Sequence, residues 1–317
     1  MLKTTRFLTC LMTLFVLATC ALAAENKPQE DREGGIVGTG IVGTITELGS
    51  IYVNGQHVIF PADMIVASPL GIKPAAALGV GETVVVEATF ADGSWNADYI
   101  SQYLPVIGPV SAAGADGFSV LGSEILIDSD TAFDGVADAA ALGQGDWVAI
   151  NGLWRGNTVV ASLVIKIDRQ DEAVIVGSYR SDGTQGPAYV GGTQIIGMTP
   201  RHAQPDDVLT VRGVPAQNGI EALNVALGLF TRPVADILME GYLSQPGPQG
   251  LYTIYGSGVI AYAGDEPMAV FSGRGLYCAQ SVERQPIVPL AELPEDEQDR
   301  MQLLESLGRE AAERCGG

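Results

Sequence analysis

Ala75-Ala-Ala-Leu-Gly-Val-Gly-Glu82 and Ala139-Ala-Ala-Leu-Gly-Gln-Gly-Asp146 are nearly the same stretch written twice. Six positions are identical and the eighth is an acid in both. Each leads straight into an apolar run, Thr83-Val-Val-Val-Glu87 in the first and Trp147-Val-Ala-Ile-Asn151 in the second. Self-similarity at a fixed interval marks a repeat architecture. Working outward, Pro205-Asp-Asp-Val-Leu-Thr-Val-Arg-Gly213 holds the third equivalent place. Gly264-Asp-Glu-Pro-Met-Ala-Val-Phe-Ser-Gly273 holds a fourth, with Pro267 as a departure. The openings Gly43-Thr-Ile-Thr-Glu47, Gly108-Pro-Val-Ser111, Gly177-Ser-Tyr-Arg180 and Gly241-Tyr-Leu-Ser244 keep the same register. Units of about 65 residues follow: repeats at 38–104, 105–169 and 173–231, and a degenerate β repeat at 237–286.

Inside a unit the pattern is one of short strands. Ile51-Tyr-Val53 meets Asn54-Gly55, a strong hairpin signal, and returns as Gln56–Phe60. A loop with Pro69, Gly71 and Pro74 precedes a helical turn at Ala75–Leu78. The strand Thr83–Phe90 then turns at Asp92-Gly93 into Trp95–Tyr103. Unit two copies the plan, and Asp182-Gly183 and Asn218-Gly219 punctuate unit three. Forty glycines and 17 prolines agree with many turns and few helices. Five short strands escape the edge problem by curling into a small closed barrel, as the oligonucleotide/oligosaccharide-binding (OB) fold does. A string of small sandwiches would show the same rhythm. The expected class is all-β: tandem small five-stranded OB-like barrels with a short C-terminal helix.

These features resemble a family of bacterial envelope proteins built from tandem copies of a Gly-rich β-barrel domain of unknown function. The carrying residues are the Gly-x-Val/Ile strand openings and the Ala-Leu-Gly-x-Gly-acid approach at Ala77–Glu82 and Ala141–Asp146. The resemblance covers residues 38–167 well and 176–285 loosely. It implies export and a barrel, and it implies no activity.

The ends differ from the repeats. Lys3 and Arg6, the apolar run Phe7–Ala18 and the small residues Ala21-Leu-Ala23 have the order of a secretory signal over 1–23, followed by a polar linker at 24–37. Leu17-Ala-Thr-Cys20 also resembles a lipoprotein box, in which Cys20 would be lipidated and the protein membrane-anchored. The expected location is periplasmic or extracellular, with a lipid anchor as the alternative. Cleavage leaves Cys278 and Cys315, which in an oxidising compartment form a disulfide or remain two free thiols. Pro289–Pro294 reads as a linker and Glu295–Arg314 as a helix, with Met301, Leu304, Leu307 and Ala311 as a narrow apolar stripe. That helix caps the last barrel or serves as a handle for a partner.

Charge and motifs exclude more than they assign. Lys+Arg is 17 against Asp+Glu 37, a net charge of −20 that makes nucleic acid a poor partner. His57 and His202 stand apart from each other and from any Cys, and there is no phosphate-binding loop or Gly-x-Ser-x-Gly elbow. The most suggestive polar cluster is Asp128, Asp130 and Asp134 before Gly135, a weak calcium candidate whose spacing misses the calcium-hand pattern. Acids that cap turns are the plainer reading. Trp147 and Trp154 are candidates for a sugar platform, or for packing. An odd separation puts them on opposite faces of an unbroken strand. The expected function is a non-catalytic envelope module, without a cofactor, that binds an envelope protein or glycan or acts as a spacer. The alternatives are an enzyme acting on an envelope polysaccharide through loop carboxylates, and a calcium-binding envelope protein.

Overall fold

The computed structural model describes residues 38–114, 117–182, 186–197, 203–247, 250–262, 271–280 and 288–315. The signal and linker at 1–37, with Cys20, and His202 lie outside the described residues. The first repeat forms β1 (Thr39–Leu48), β2 (Ile51–Val53), β3 (Gln56–Ile59), β4 (Ile65–Ser68), β5 (Gly71–Pro74), β6 (Thr83–Ala91) and β7 (Ser94–Gln102). β1 pairs antiparallel with β2 and β6, β2 with β3, and β6 with β7, while β3 runs parallel to β7. The ring β1-β2-β3-β7-β6 is therefore closed.

The next repeat supplies β8 (Val106–Gly114), β9 (Gly117–Val120), β10 (Ser123–Leu126), β11 (Ala132–Asp134), β12 (Trp147–Arg155) and β13 (Thr158–Ile167). The third supplies β14 (Ala173–Ser181), β15 (Ala188–Val190), β16 (Thr193–Ile196), β17 (Val208–Ala216) and β18 (Gly219–Leu227). Pairings in the same order close both rings, again with one parallel pair, β10 with β13 and β16 with β18. The sandwich alternative is set aside by these circuits.

The repeated motif is the turn that launches the fourth strand of each ring. Glu82 N donates to Gly79 O, Asp146 N to Gly143 O and Asp207 N to Gln204 O. The third turn residue has a positive φ every time: 87° at Gly81, 89° at Gly145 and 73° at Asp206. Glycine is the natural occupant there; Asp tolerates it, and Pro205 presets the residue before. The third repeat thus builds the same turn from different letters. Each turn then clips to its first strand through a matched pair of bonds, at Ile45, Val110 and Tyr179.

A second device repeats as well. Gly43 leaves room for the Asn54 side chain, and Gly108 for Leu121. Asn54 and Leu121 hold φ of 55° at the tip of the second hairpin, and the third barrel has Gly191 there with φ 58°. With no side chain at Gly191, the slot beside Gly177 is filled from the neighbouring barrel by Trp154.

Among the described residues the last repeat pairs as an open version of the ring. It comprises β19 (Asp236–Gly241), β20 (Leu251–Thr253), β21 (Ile260–Tyr262), β22 (Gly275–Gln280) and β23 (Val288–Glu292). β19 pairs with β22, β22 with β23 and β20 with β21, and Leu243 bridges Ile254. Among the described residues no pairing joins β21 to β23. Instead β19 lies parallel to β1 and extends the first barrel's sheet. The segment expected to be a linker, Pro289–Pro294, is largely strand. Pro289 sits at a register shift opposite Tyr277, where a missing N–H is tolerated. The expected loop around Pro69 is likewise a hairpin, β4–β5, lying against β7.

The helix α1 (Glu297–Arg314) is capped by Asp296, whose carboxylate accepts from Asp299 N at 3.0 Å. The sequence expectation is a cap on the last barrel or a handle for a partner, whereas the helix packs on the first barrel as well. A Cβ at Gly308 would meet Gly55 O, so α1 runs against the Asn54-Gly55 turn of the first barrel. Its buried stripe is Leu304, Gly308, Ala311 and Ala312, with Gly308 in place of Leu307 because backbone approaches backbone there. Cys315 is bonded to Cys278, with Cα atoms 5.5 Å apart and both residues buried. One core lies inside the first barrel and under α1; a larger one runs through the second and third barrels.

Candidate functional site

The three rings share a further irregularity. The fourth strand shifts register between Glu87 and Ala88, Asn151 and Gly152, and Arg212 and Gly213. A β-bulge re-aims the side chain at that point, and all three side chains reach another unit. Asn151 Oδ1 accepts from Thr83 N at 3.1 Å. Glu87 accepts from Thr231 N and Oγ1 at 2.6 and 2.7 Å and pairs with Arg232 Nε at 2.9 Å. Arg212 donates to Pro69 O at 3.2 Å. Ser162 donates to Gly81 O, and Ser123 meets Thr193 at 2.8 Å across the second and third barrels.

Between the first two barrels, β19 and α1 these contacts frame a cavity of about 190 Å³. Thr44, Asp128, Tyr242, Arg274, Glu297 and Arg300 supply its polar groups. Arg274 Nε pairs with Glu240 Oε1 at 2.7 Å, and Nη2 donates to Thr44 Oγ1 at 3.3 Å. Burial opposes the Arg274 charge, but the Glu240 carboxylate outweighs it and holds the pKa above the ordinary value. Tyr242 is buried, carries Arg155 over its ring at 5.7 Å, and has its phenol pKa raised by burial. Arg300 pairs with Asp130 at 3.2 Å and donates to the Pro294 and Glu295 carbonyls, fixing the start of α1 against the second barrel.

The acids singled out in the sequence are divided among several tasks. Asp128 Oδ1 accepts from Asp130 N and Thr131 Oγ1 in a turn, and Asp130 holds Arg300. Asp134 is exposed at the end of β11. Among the described residues no group of three His, Cys, Asp or Glu side chains is placed to hold a metal. The two tryptophans are not a surface platform, because Trp147 is 6% exposed and Trp154 2%. The bulge at Asn151 also breaks the alternation that would have faced them oppositely. Trp154 Nε1 donates to Val176 O at 2.7 Å, inside the junction with the third barrel. His57 stacks on Tyr52 and bonds Gly49 O, a turn contact. Arg274, Tyr242, Glu240 and Arg300 were not singled out from sequence. Their only signal was the unit opening Gly241-Tyr242, since the chain brings them together from positions far apart.

The first two rings have a recognisable counterpart. Residues 39–101 and 107–164 each match the family model of a domain of unknown function, DUF5666. The two matches give tandem copies of that small barrel. A search of curated proteins returned no match.

Proposed function

We propose that this chain is an exported, non-catalytic envelope protein whose OB-like barrels form a binding module for an envelope protein or glycan. The ring order, with one parallel pair closing each barrel, supports the OB-like reading. The N-terminal signal and the buried Cys278–Cys315 bond support an oxidising compartment outside the cytosol. The observation that carries the proposal is the fate of the polar side chains. Glu87, Asn151, Asp130 and Arg300, and Glu240 and Arg274 through Thr44 of the first barrel, are engaged in joining units to one another. A scaffold held this way presents surfaces and clefts in fixed relative positions, which suits recognition. Crosslinked affinity capture of the full mature chain from its own envelope tests it. A dominant protein or glycan recovered by mass spectrometry is the expected result. Turnover of an envelope polymer, abolished by Asp128→Asn with Asp130→Asn and Asp134→Asn, would instead establish the enzyme.

A further inference from the structure

We infer that the cavity between the first two barrels and α1 binds a small, hydroxyl-rich ligand without negative charge, of about the size of one sugar ring. This rests on the binding-module reading above and gives it a specific site. Three groups facing the cavity keep unused hydrogen-bonding capacity among the described residues. Asp128 uses Oδ1 in its turn and leaves Oδ2 as an acceptor. Arg274 donates through Nη2 to Thr44 and sets Nε against Glu240 as an ion pair without a hydrogen bond, and no bond among the described residues engages Nη1. The Tyr242 hydroxyl can donate or accept a hydrogen bond, and burial, which raises its pKa, keeps it protonated. An acceptor, a donor and a hydroxyl around one space match the alternating donors and acceptors of adjacent ligand hydroxyls. The Tyr242 ring and Leu153 add apolar surface for a C–H face.

Charge decides the ligand class. Glu240 pairs with Arg274 and Asp130 with Arg300, so these four charges cancel in two ion pairs. Asp128 and, at the exposed rim, Glu297 add negative charge that no ion pair offsets among the described residues. An anionic ligand would meet that surplus, and a ligand without negative charge avoids the repulsion. The volume of about 190 Å³ is below the range of drug-sized pockets and fits a single ring rather than an oligomer.

The test uses the full mature chain and four probes: glucose, N-acetylglucosamine, glucuronate and glucosamine. Saturation-transfer NMR with a titration of each probe gives contact and Kd. Binding of at least one neutral sugar is expected, about tenfold tighter than glucuronate, whose carboxylate meets Asp128 and Glu297. Asp128→Asn and Tyr242→Phe keep the turn and the ring, and each should weaken it about fivefold or more. No transfer from either neutral sugar, or equal binding by the double variant, overturns the site assignment. If neutral sugars fail here while envelope capture still returns one partner, the cavity assignment falls and the module reading stands. If both fail, both fall.

Discussion

Trp154→Ala should uncouple the second and third barrels while leaving both rings closed. The side chain is 2% exposed, and a buried tryptophan covers about 150–250 Å², or about 4–6 kcal/mol at ~25 cal/mol/Å². Partial collapse of the slot brings the expected loss to about 4 kcal/mol. Trp154→Phe keeps most of the bulk and strands the Val176 carbonyl, so it should cost about 1–2 kcal/mol. The decisive variant is Gly191→Asn. With Trp154 present, the new side chain meets the indole and should be severely destabilising. In the Trp154→Ala background it should recover about 1–2 kcal/mol, because Asn54 fills the same slot at nearly the same φ in the first barrel, bonded to Val42 O at 2.9 Å. Guanidinium unfolding followed by circular dichroism gives the energies. Limited proteolysis of the 168–172 connection reports the junction. If the two single effects add within about 0.5 kcal/mol, the shared-slot reasoning is wrong.

Three further outcomes are expected. Cys278→Ser with Cys315→Ser opens a loop with a sequence separation of 37 and should cost up to about 4 kcal/mol, read as a lower unfolding midpoint and faster exchange of α1 amides. Asp146 has its pKa held below 3.8 by Lys166 and by Gly143 N. Its contribution is therefore present above that value and lost as the pH falls through the folded pKa, and Asp146→Asn should flatten the acid limb of a stability–pH curve. Asp206 is shifted the other way, raised above 3.8 by burial. The folded state then binds the extra proton, so stability falls as pH rises through that window. Asp206→Asn, which still tolerates φ 73°, should remove the fall and raise the midpoint at neutral pH.

How much of this was legible in the sequence varies with the kind of interaction. The Leu-Gly-x-Gly-acid letters encode a local turn, so two repeats were plain from the string. Pro205-Asp206-Asp207 makes the same turn by the same φ logic, which is why a weak match in letters is a full match in shape. Local alternation exposed the strands, and the acids and apolar stripe within 295–314 exposed α1. Missed were β4–β5 and β23, both punctuated by prolines that edge strands tolerate. The Arg274–Glu240 and Arg300–Asp130 pairs join residues that nothing local connects. Trp154 misled for a related reason: its environment is set by two glycines of the next unit, Gly177 and Gly191.

The parallel pairing of β1 with β19 has a mechanical consequence. It brings the last repeat back beside the first, and α1 follows, so that Thr39 Oγ1 donates to Cys315 O at 3.4 Å. Whatever precedes Thr39 and whatever follows Cys315 therefore leave from one spot. A body tethered at one point hangs as a pendant; tension applied through its two ends would not pass along its length. A strut strung between anchors at its termini is the wrong picture for this chain. If the protein sets a distance, it does so through what its flanks grasp, as a hand on a single wrist does.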